Sequence, residues 1–268
     1  MTASTGRLQG KVAIVVGAGQ TPGDTIGNGR ATAIRFAQEG AKVVLVDRRE
    51  ASARETLHEV ESYGGEGIVV AADVTQEGDC QAMIEACTRR FGTVDVLHNN
   101  VGIGAGDSGP THMTEAVWDR IHSVNLKSAL FTCKHALPVM RAQGSGVITN
   151  ISSVAAVCSV GIVAYKTSKA ALNAFTQSLA IGNARYGIRA NVIMPGLMNT
   201  PMAIEGYVAA GRDREQLVSE RDAQVPLRGK MGTAWDVANA AVFLASDEAG
   251  FITGVCLPVD GGQSARVG

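Results

Sequence analysis

Seven short runs rich in Val and Ile recur along the chain, separated by stretches of helical length, and that alternation decides most of the fold. The runs lie at 12–16, 42–46, 67–71, 94–97, 147–151, 188–193 and 255–259. Several are apolar at consecutive positions rather than alternate ones, which is the pattern of strands covered on both faces. Between them, 30–39, 51–63, 79–91, 118–141, 165–186 and 235–246 carry apolar residues at helical spacing, and Gly40, Gly64, Gly92 and Gly187 stand where four of these helices would stop. Strands alternating with helices imply right-handed crossovers, and hence an α/β, Rossmann-type, doubly wound parallel sheet of about seven strands. No repeat, low-complexity tract or linker divides the 268 residues, so one domain is expected. The stretch 198–232 breaks the rhythm. It is long and charged, and it is expected to form a lid with one or two short helices.

Composition narrows the function classes. The formal net charge is −1 and no basic stripe appears, so a nucleic-acid footprint is missing. The five cysteines (Cys80, Cys87, Cys133, Cys158 and Cys256) form no C-x-x-C pair, which argues against a disulfide framework or a zinc site and fits a reducing compartment. The start, MTASTGRLQGK, has no apolar stretch of signal type, and no apolar run reaches the roughly 18–20 residues that cross a bilayer. A cytoplasmic location with no membrane partner is the expectation. His58, His98, His112, His122 and His135 show no metal-ligand spacing, and His98 is expected to pack rather than catalyse. Trp118 and Trp235 are expected to anchor helices in the core.

The first strand opens into a glycine-rich loop, Gly17-Ala-Gly-Gln-Thr-Pro-Gly-Asp-Thr-Ile-Gly27-Asn28-Gly29. Such a turn lets the backbone approach a pyrophosphate, which the amides and dipole of the following helix then hold. Pro22 occupies the third glycine position of a plain G-x-G-x-x-G, so the loop is read with an insertion of about six residues that delivers Gly27 and Gly29 at the helix start. Strand two ends at Asp47, whose carboxylate suits adenosine ribose hydroxyls and repels a 2′-phosphate, favouring NAD. Arg48 and Arg49 follow, and an arginine there can pair with that phosphate, so NADP stays open. After strand five come Ser152-Ser153 and then Tyr165-Lys-Thr-Ser-Lys169, with Tyr165 and Lys169 four apart on one helix face. A nearby ammonium, with a positive nicotinamide ring, would draw the phenol pKa down from its usual value of about 10. A serine hydroxyl beside it could hold a substrate oxygen. No G-x-S-x-G elbow surrounds either serine, which argues against a hydrolase.

Together with Asp73-Val74, Asn99-Asn-Val101-Gly102, Asn125, Pro195-Gly196 and Val-Asp-Gly-Gly262, these motifs make the chain resemble the short-chain dehydrogenase/reductase family over roughly residues 10–262. The resemblance implies Tyr165 as proton donor and acceptor, Lys169 as its pKa partner and ribose ligand, Ser153 as the substrate-orienting serine, and Asn125 as the holder of a proton-relay water. It implies that Asp73 and Val74 meet the adenine, and Asn99, Val101 and Gly102 the adenosine ribose side. Pro195, Gly196, Met198 and Thr200 would cradle the nicotinamide. The implied reaction is metal-free hydride transfer between NAD(P) and a secondary alcohol or ketone. Val154, Val157, Val160, Ile162, Met198, Met202 and Ile204 suggest an apolar substrate cavity. A 3-oxoacyl-thioester reductase using NADPH is the alternative enzyme, and a non-catalytic nucleotide sensor the alternative class. A homotetramer built on the helices containing Asn125 and Tyr165 is implied as well. Ser153 lies twelve residues before Tyr165 where the family usually has thirteen; counting favours Ser152, the strand-end position Ser153.

Overall fold

The computed structural model describes residues 6–158 and 161–266. Its strands are β1 (Val12–Val16), β2 (Lys42–Asp47), β3 (Gly67–Ala71), β4 (Val96–Asn99), β5 (Gly146–Ile151), β6 (Ile188–Pro195) and β7 (Cys256–Val259). All pair in parallel, in the order β3-β2-β1-β4-β5-β6-β7. The chain therefore winds outward from β1 to β3 and then crosses back to β4. Ligands of such sheets lie above the carboxyl ends of the strands where the winding reverses, between β1 and β4.

The helices are α1 (Asn28–Gln38), α2 (Glu50–Ser62), α3 (Glu77–Phe91), α4 (Glu115–His122), α5 (Ser128–Gln143), α6 (Ala164–Asn183), α7 (Pro201–Ala209), α8 (Arg214–Asp222) and α9 (Ala234–Ala245). β1 is buried along its whole length. Ala13 and Val15 face Ile34, Phe36, Val237 and Ala241 of α1 and α9. Val12, Ile14 and Val16 face Met83, Cys87, Met140 and Leu179 on the other side. Side chains alternate across a strand, so a run with no polar position must be covered twice. No helix among the described residues is long and apolar enough to cross a membrane.

Three features differ from the sequence expectation. The fourth strand runs two residues later than expected, because Asp95 is spent on the strand start: its carboxylate accepts from the Val12 N–H at 2.8 Å. His98 and Asn99 continue the strand although polar, and both are buried. The expected helix 118–141 is two helices joined by a π-helical turn at Ser123–Lys127, a local widening that often marks a functional position. Trp118 is no core anchor. It is 37% exposed and lies against the His122 ring with centroids 4.1 Å apart.

Candidate active site

The π-helical turn aims Asn125 inward, where it is buried. Its Oδ1 accepts from the Ile103 N–H at 2.7 Å and its Nδ2 donates to the Ile103 carbonyl at 2.9 Å. The same Nδ2 donates to Ser168 Oγ on α6 at 3.0 Å. Asn125 thus clasps the loop that follows β4 and ties it to the helix bearing Tyr165 and Lys169. Lys169 is buried, its Nζ donating to the Ile151 carbonyl at 2.8 Å and standing 5.8 Å from the centre of the Tyr165 ring. Burial lowers the Lys169 pKa to about 8.

The two serines separate cleanly. Ser152 is buried and its hydroxyl donates to the Lys169 carbonyl at 3.0 Å, an interior tie between β5 and α6. Ser153 instead turns its hydroxyl to the cleft side, where it accepts from the Ala155 N–H at 3.1 Å and lies near enough to the Tyr165 phenol to lower its pKa. The geometry therefore groups Ser153, Tyr165 and Lys169 at the carboxyl edge of the sheet. Burial raises the Tyr165 pKa, with Ser153 pulling the other way. Burial outweighs Ser153 here, and the Lys169 ammonium is directed at the Ile151 carbonyl; the depression expected for the phenol counted on a bound nicotinamide as well.

At the other end of the cleft, Gly17 has φ +81°, a left-handed turn that L side chains rarely adopt. Gly29 is needed for space: a Cβ there would collide with the Gly17 carbonyl oxygen. As expected, Gly27 and Gly29 stand at the start of α1, Gly27 as its N-cap; Gln20 Oε1 accepts from the Gly27 N–H at 2.8 Å, and the N-cap itself offers no side chain to the amides that follow. The loop is held from behind. Buried Arg30 donates to Thr56 Oγ1 at 3.0 Å and the Ser52 carbonyl at 3.0 Å, and pairs with Glu55 at 2.7 Å. Thr56 in turn donates to the Ala18 carbonyl at 2.8 Å. Asp47 accepts from the Gly19 and Arg49 N–H groups at 3.0 and 2.9 Å. Asp73 is held below the usual carboxylate range, first by the Thr75 side chain and then by its backbone, with the Arg48 charge contributing. Val74 is buried beside it. A dinucleotide fits these residues: the α1 amides after Gly27 have no N-cap side chain, the approach is lined by glycine, and Asn28 Oδ1 is buried with no partner among the described residues.

Some expected contacts are revised. The Asn99 side chain is committed inside the protein, donating to Asn150 Oδ1 at 2.8 Å and accepting from Thr132 at 2.9 Å, which leaves only its backbone for a ligand. Its neighbour Asn100 reaches the loop instead, donating to the Gly17 carbonyl at 3.3 Å. Val101 Cγ2 would lie 3.0 Å from a Cβ at Gly17, and Gly102 is likewise confined, a Cβ there falling 2.9 Å from Lys169 Nζ. Where β6 ends, Pro195 and Gly196 are buttressed by the segment around Gln263, whose Oε1 accepts from the Leu197 N–H at 2.7 Å. Thr200 is buried where α7 begins. Met198 and Ile204 are buried, Met198 in the main core and Ile204 in the small core under α7 and α8. Val157 and Met202 are exposed, and Val160 lies outside the described residues. Helices α7 and α8 fill the stretch expected as a lid and enclose a small core of Ile204, Leu217, Val225 and Met231. Asn100, Arg30 and Gln263 were not singled out in the sequence. Their partners lie 22 to 83 residues away, beyond any local pattern.

Comparison with known proteins agrees with this geometry. A family model described as Enoyl-(Acyl carrier protein) reductase matches residues 24–264. The chain is 38% identical over 259 residues to 2-(R)-hydroxypropyl-CoM dehydrogenase of Xanthobacter autotrophicus, covering 95% of this chain and 99% of that protein. It is 35% identical over 267 residues to levodione reductase of Leifsonia aquatica, covering 97% of each. A crystal structure of a short-chain dehydrogenase/reductase from Burkholderia xenovorans superposes with a TM-score of 0.93 at 43% identity, over 98% of this chain and all of that one. The chain belongs to the short-chain dehydrogenase/reductase family and is accordingly an oxidoreductase served by a nicotinamide cofactor.

Proposed function

We propose that the protein interconverts a secondary alcohol and a ketone with NAD, Tyr165 serving as acid and base. The observation carrying this is the convergence of three side chains from two elements, Ser153 at the end of β5 and Tyr165 and Lys169 on α6, with Ser153 near enough to the phenol to lower its pKa and the Lys169 ammonium buried 5.8 Å from its ring. A bound nicotinamide supplies the carbon that takes or gives the hydride. In the oxidative direction Tyr165 takes the hydroxyl proton while Ser153 holds the same oxygen as it becomes a carbonyl. Lys169 keeps a positive charge beside the phenolate that forms. Asn125 fixes the loop behind them. The start of α1 would hold the pyrophosphate, and Pro195, Gly196, Thr200 and the Met198 backbone would border the nicotinamide.

Asp47 supports NAD over NADP, since it stands at the end of β2, 3.0 Å from the Gly19 N–H, where a 2′-phosphate would meet a carboxylate. The names of the two relatives, one a dehydrogenase and one a reductase, suit a small organic alcohol or ketone. All five cysteines are unpaired, in keeping with a cytoplasmic location. Leu130 on α5 and Ile181 on α6 are exposed, and burying them between copies would suit a homotetramer, which sedimentation tests. The functional test follows absorbance of the reduced cofactor, with NAD and NADP each offered against cyclic, aromatic, steroidal and 3-oxoacyl-thioester substrates. Tyr165→Phe abolishes turnover of whichever substrate responds while the cofactor still binds. Near-normal turnover in that variant rules out the assignment.

A further inference from the structure

Helix α6 carries the proposed catalytic pair, yet its own sequence gives it no start signal. The residue at its N-cap is Val163, no side chain of the helix caps it, and its first turn has no acidic residue. The four N–H groups that open a helix need acceptors, and its positive end favours a negative charge. Both come from 56 to 58 residues away. Asp107, in the loop after β4, accepts from the N–H groups of Val163 at 3.2 Å, Ala164 at 3.2 Å and Tyr165 at 2.6 Å. The same carboxylate accepts from the Ser108 N–H at 2.8 Å, which fixes its own backbone. Its shortest bond is to the backbone of the tyrosine itself.

That loop is tightly located. Asn125 clasps it at Ile103, and Arg120 donates to the Ala105 carbonyl at 2.6 Å. A Cβ at Gly104 would stand 3.4 Å from the Tyr165 ring. Loop backbone therefore borders the ring on one side while Asp107 holds the backbone from which the ring projects. We propose that Asp107 is a positioning residue for Tyr165: it seats the first turn of α6 on the loop so that the phenol is held beside Ser153 and Lys169. This rests on the acid/base role proposed above for Tyr165. The charged and titratable groups around this end of α6 are Lys166 and Lys169 on the helix, Asp107 and Arg120 across the loop, and His122 on α4, bonded to Thr167 Oγ1 at 3.2 Å.

The test uses Asp107→Ala and Asp107→Asn in the full-length protein, with cofactor affinity, kcat, KM and the pH profile of alcohol oxidation measured for each. Small displacements of a reacting group are expensive, so kcat should fall about 10- to 100-fold in Asp107→Ala while the cofactor dissociation constant moves less than about twofold. Asp107→Asn keeps the shape and one acceptor, should lose less, and is the variant to read if Asp107→Ala does not fold. The pH profile separates place from charge. Removing a nearby carboxylate would by itself lower the phenol pKa, whereas moving the phenol away from Lys169 raises it. The acid limb of oxidation, set by the pH at which the phenol loses its proton to act as base, should therefore move to higher pH. A limb that stays put or moves to lower pH, or a folded variant with wild-type kcat, overturns the proposal. Tyr165→Phe run in parallel distinguishes the failures. If that variant is inactive while Asp107→Ala turns over normally, only the role of Asp107 falls; if it remains active, the acid/base reading and this proposal fall together.

Discussion

Lys169 shows what a single residue costs the fold for the sake of its site. Burial lowers its pKa to about 8, against an ordinary value near 10.5. The sign follows from proton binding: between those values the unfolded chain holds a proton that the folded chain does not, so stability rises with pH there. The penalty is complete below about pH 8 and fades as the pH approaches 10.5. Its full size is on the order of 3 kcal/mol. Lys169→Met should abolish turnover and raise the unfolding temperature at pH 7, and the gain should shrink in melts above pH 8; an unchanged or lower melting temperature at pH 7 contradicts the argument. Asp47 carries a second prediction at this scale. Asp47→Ser removes the carboxylate where a 2′-phosphate would sit and leaves Arg48, so the ratio of kcat/KM for NAD to that for NADP should fall at least about tenfold. An unchanged ratio would place the choice elsewhere. Tyr165, Lys169 and Asp47 could be singled out in the sequence because each belongs to a motif of fixed spacing. Ser153 and Ser152 were not separable by spacing, since adjacent strand-end residues differ only in which side of the sheet edge they face, and the bond of Ser152 to the Lys169 carbonyl settles which one points inward.

At the scale of elements, strands and helices were readable wherever burial on two faces enforces a long apolar run, as in β1 and β2. Legibility failed where polar side chains are buried in networks. Asn99 extends β4 beyond its apolar run while bonding Asn150 of β5 at 2.8 Å, and the π-helical turn at Asn125 answers to tertiary contacts with Ile103 and Ser168. The inserted part of the glycine loop had no assigned purpose in the sequence, and the structure gives it a neighbour. Gly23 packs so closely on Glu205 of α7 that a Cβ would meet its carboxylate, and Asp24 lies 3.5 Å from Arg214 of α8. Arg214 also makes a two-pronged pair with Glu205, at 3.0 and 2.7 Å. The insertion thus joins the cofactor loop to α7 and α8 through one guanidinium. Exposed ion pairs of this kind add little to global stability but can hold a mobile element. Arg214→Ala should leave the unfolding temperature nearly unchanged, speed amide exchange across 201–222 and raise KM. Exchange at the wild-type rate would show that the small apolar core under these helices suffices without the latch.

For the molecule as a whole, the order of the sheet places every proposed functional group at one edge, the carboxyl ends of β1, β2, β4, β5 and β6. The interior beneath is largely apolar, and one titratable side chain buried in it matters for acid tolerance. His98 is fully buried in β4, beside Val15 and Thr149 in the neighbouring strands and edge-on to Phe36 of α1 at 5.8 Å. Both ring nitrogens lack a hydrogen-bond partner among the described residues, and burial pushes the pKa down to about 3. A proton that binds the unfolded chain near pH 6.5 is refused by the folded one until about pH 3. Stability from this residue is therefore intact above pH 6.5 and lost progressively as the pH falls towards 3, reaching about 2 kcal/mol near pH 5. Two faces of the sheet depend on β4, so that loss acts on global unfolding rather than on a local segment. His98→Leu should flatten the acid limb of denaturant-measured stability between pH 6.5 and 5 relative to the wild type, whatever its effect at pH 8. Parallel limbs for the two proteins would mean that His98 is not the group that sets acid sensitivity.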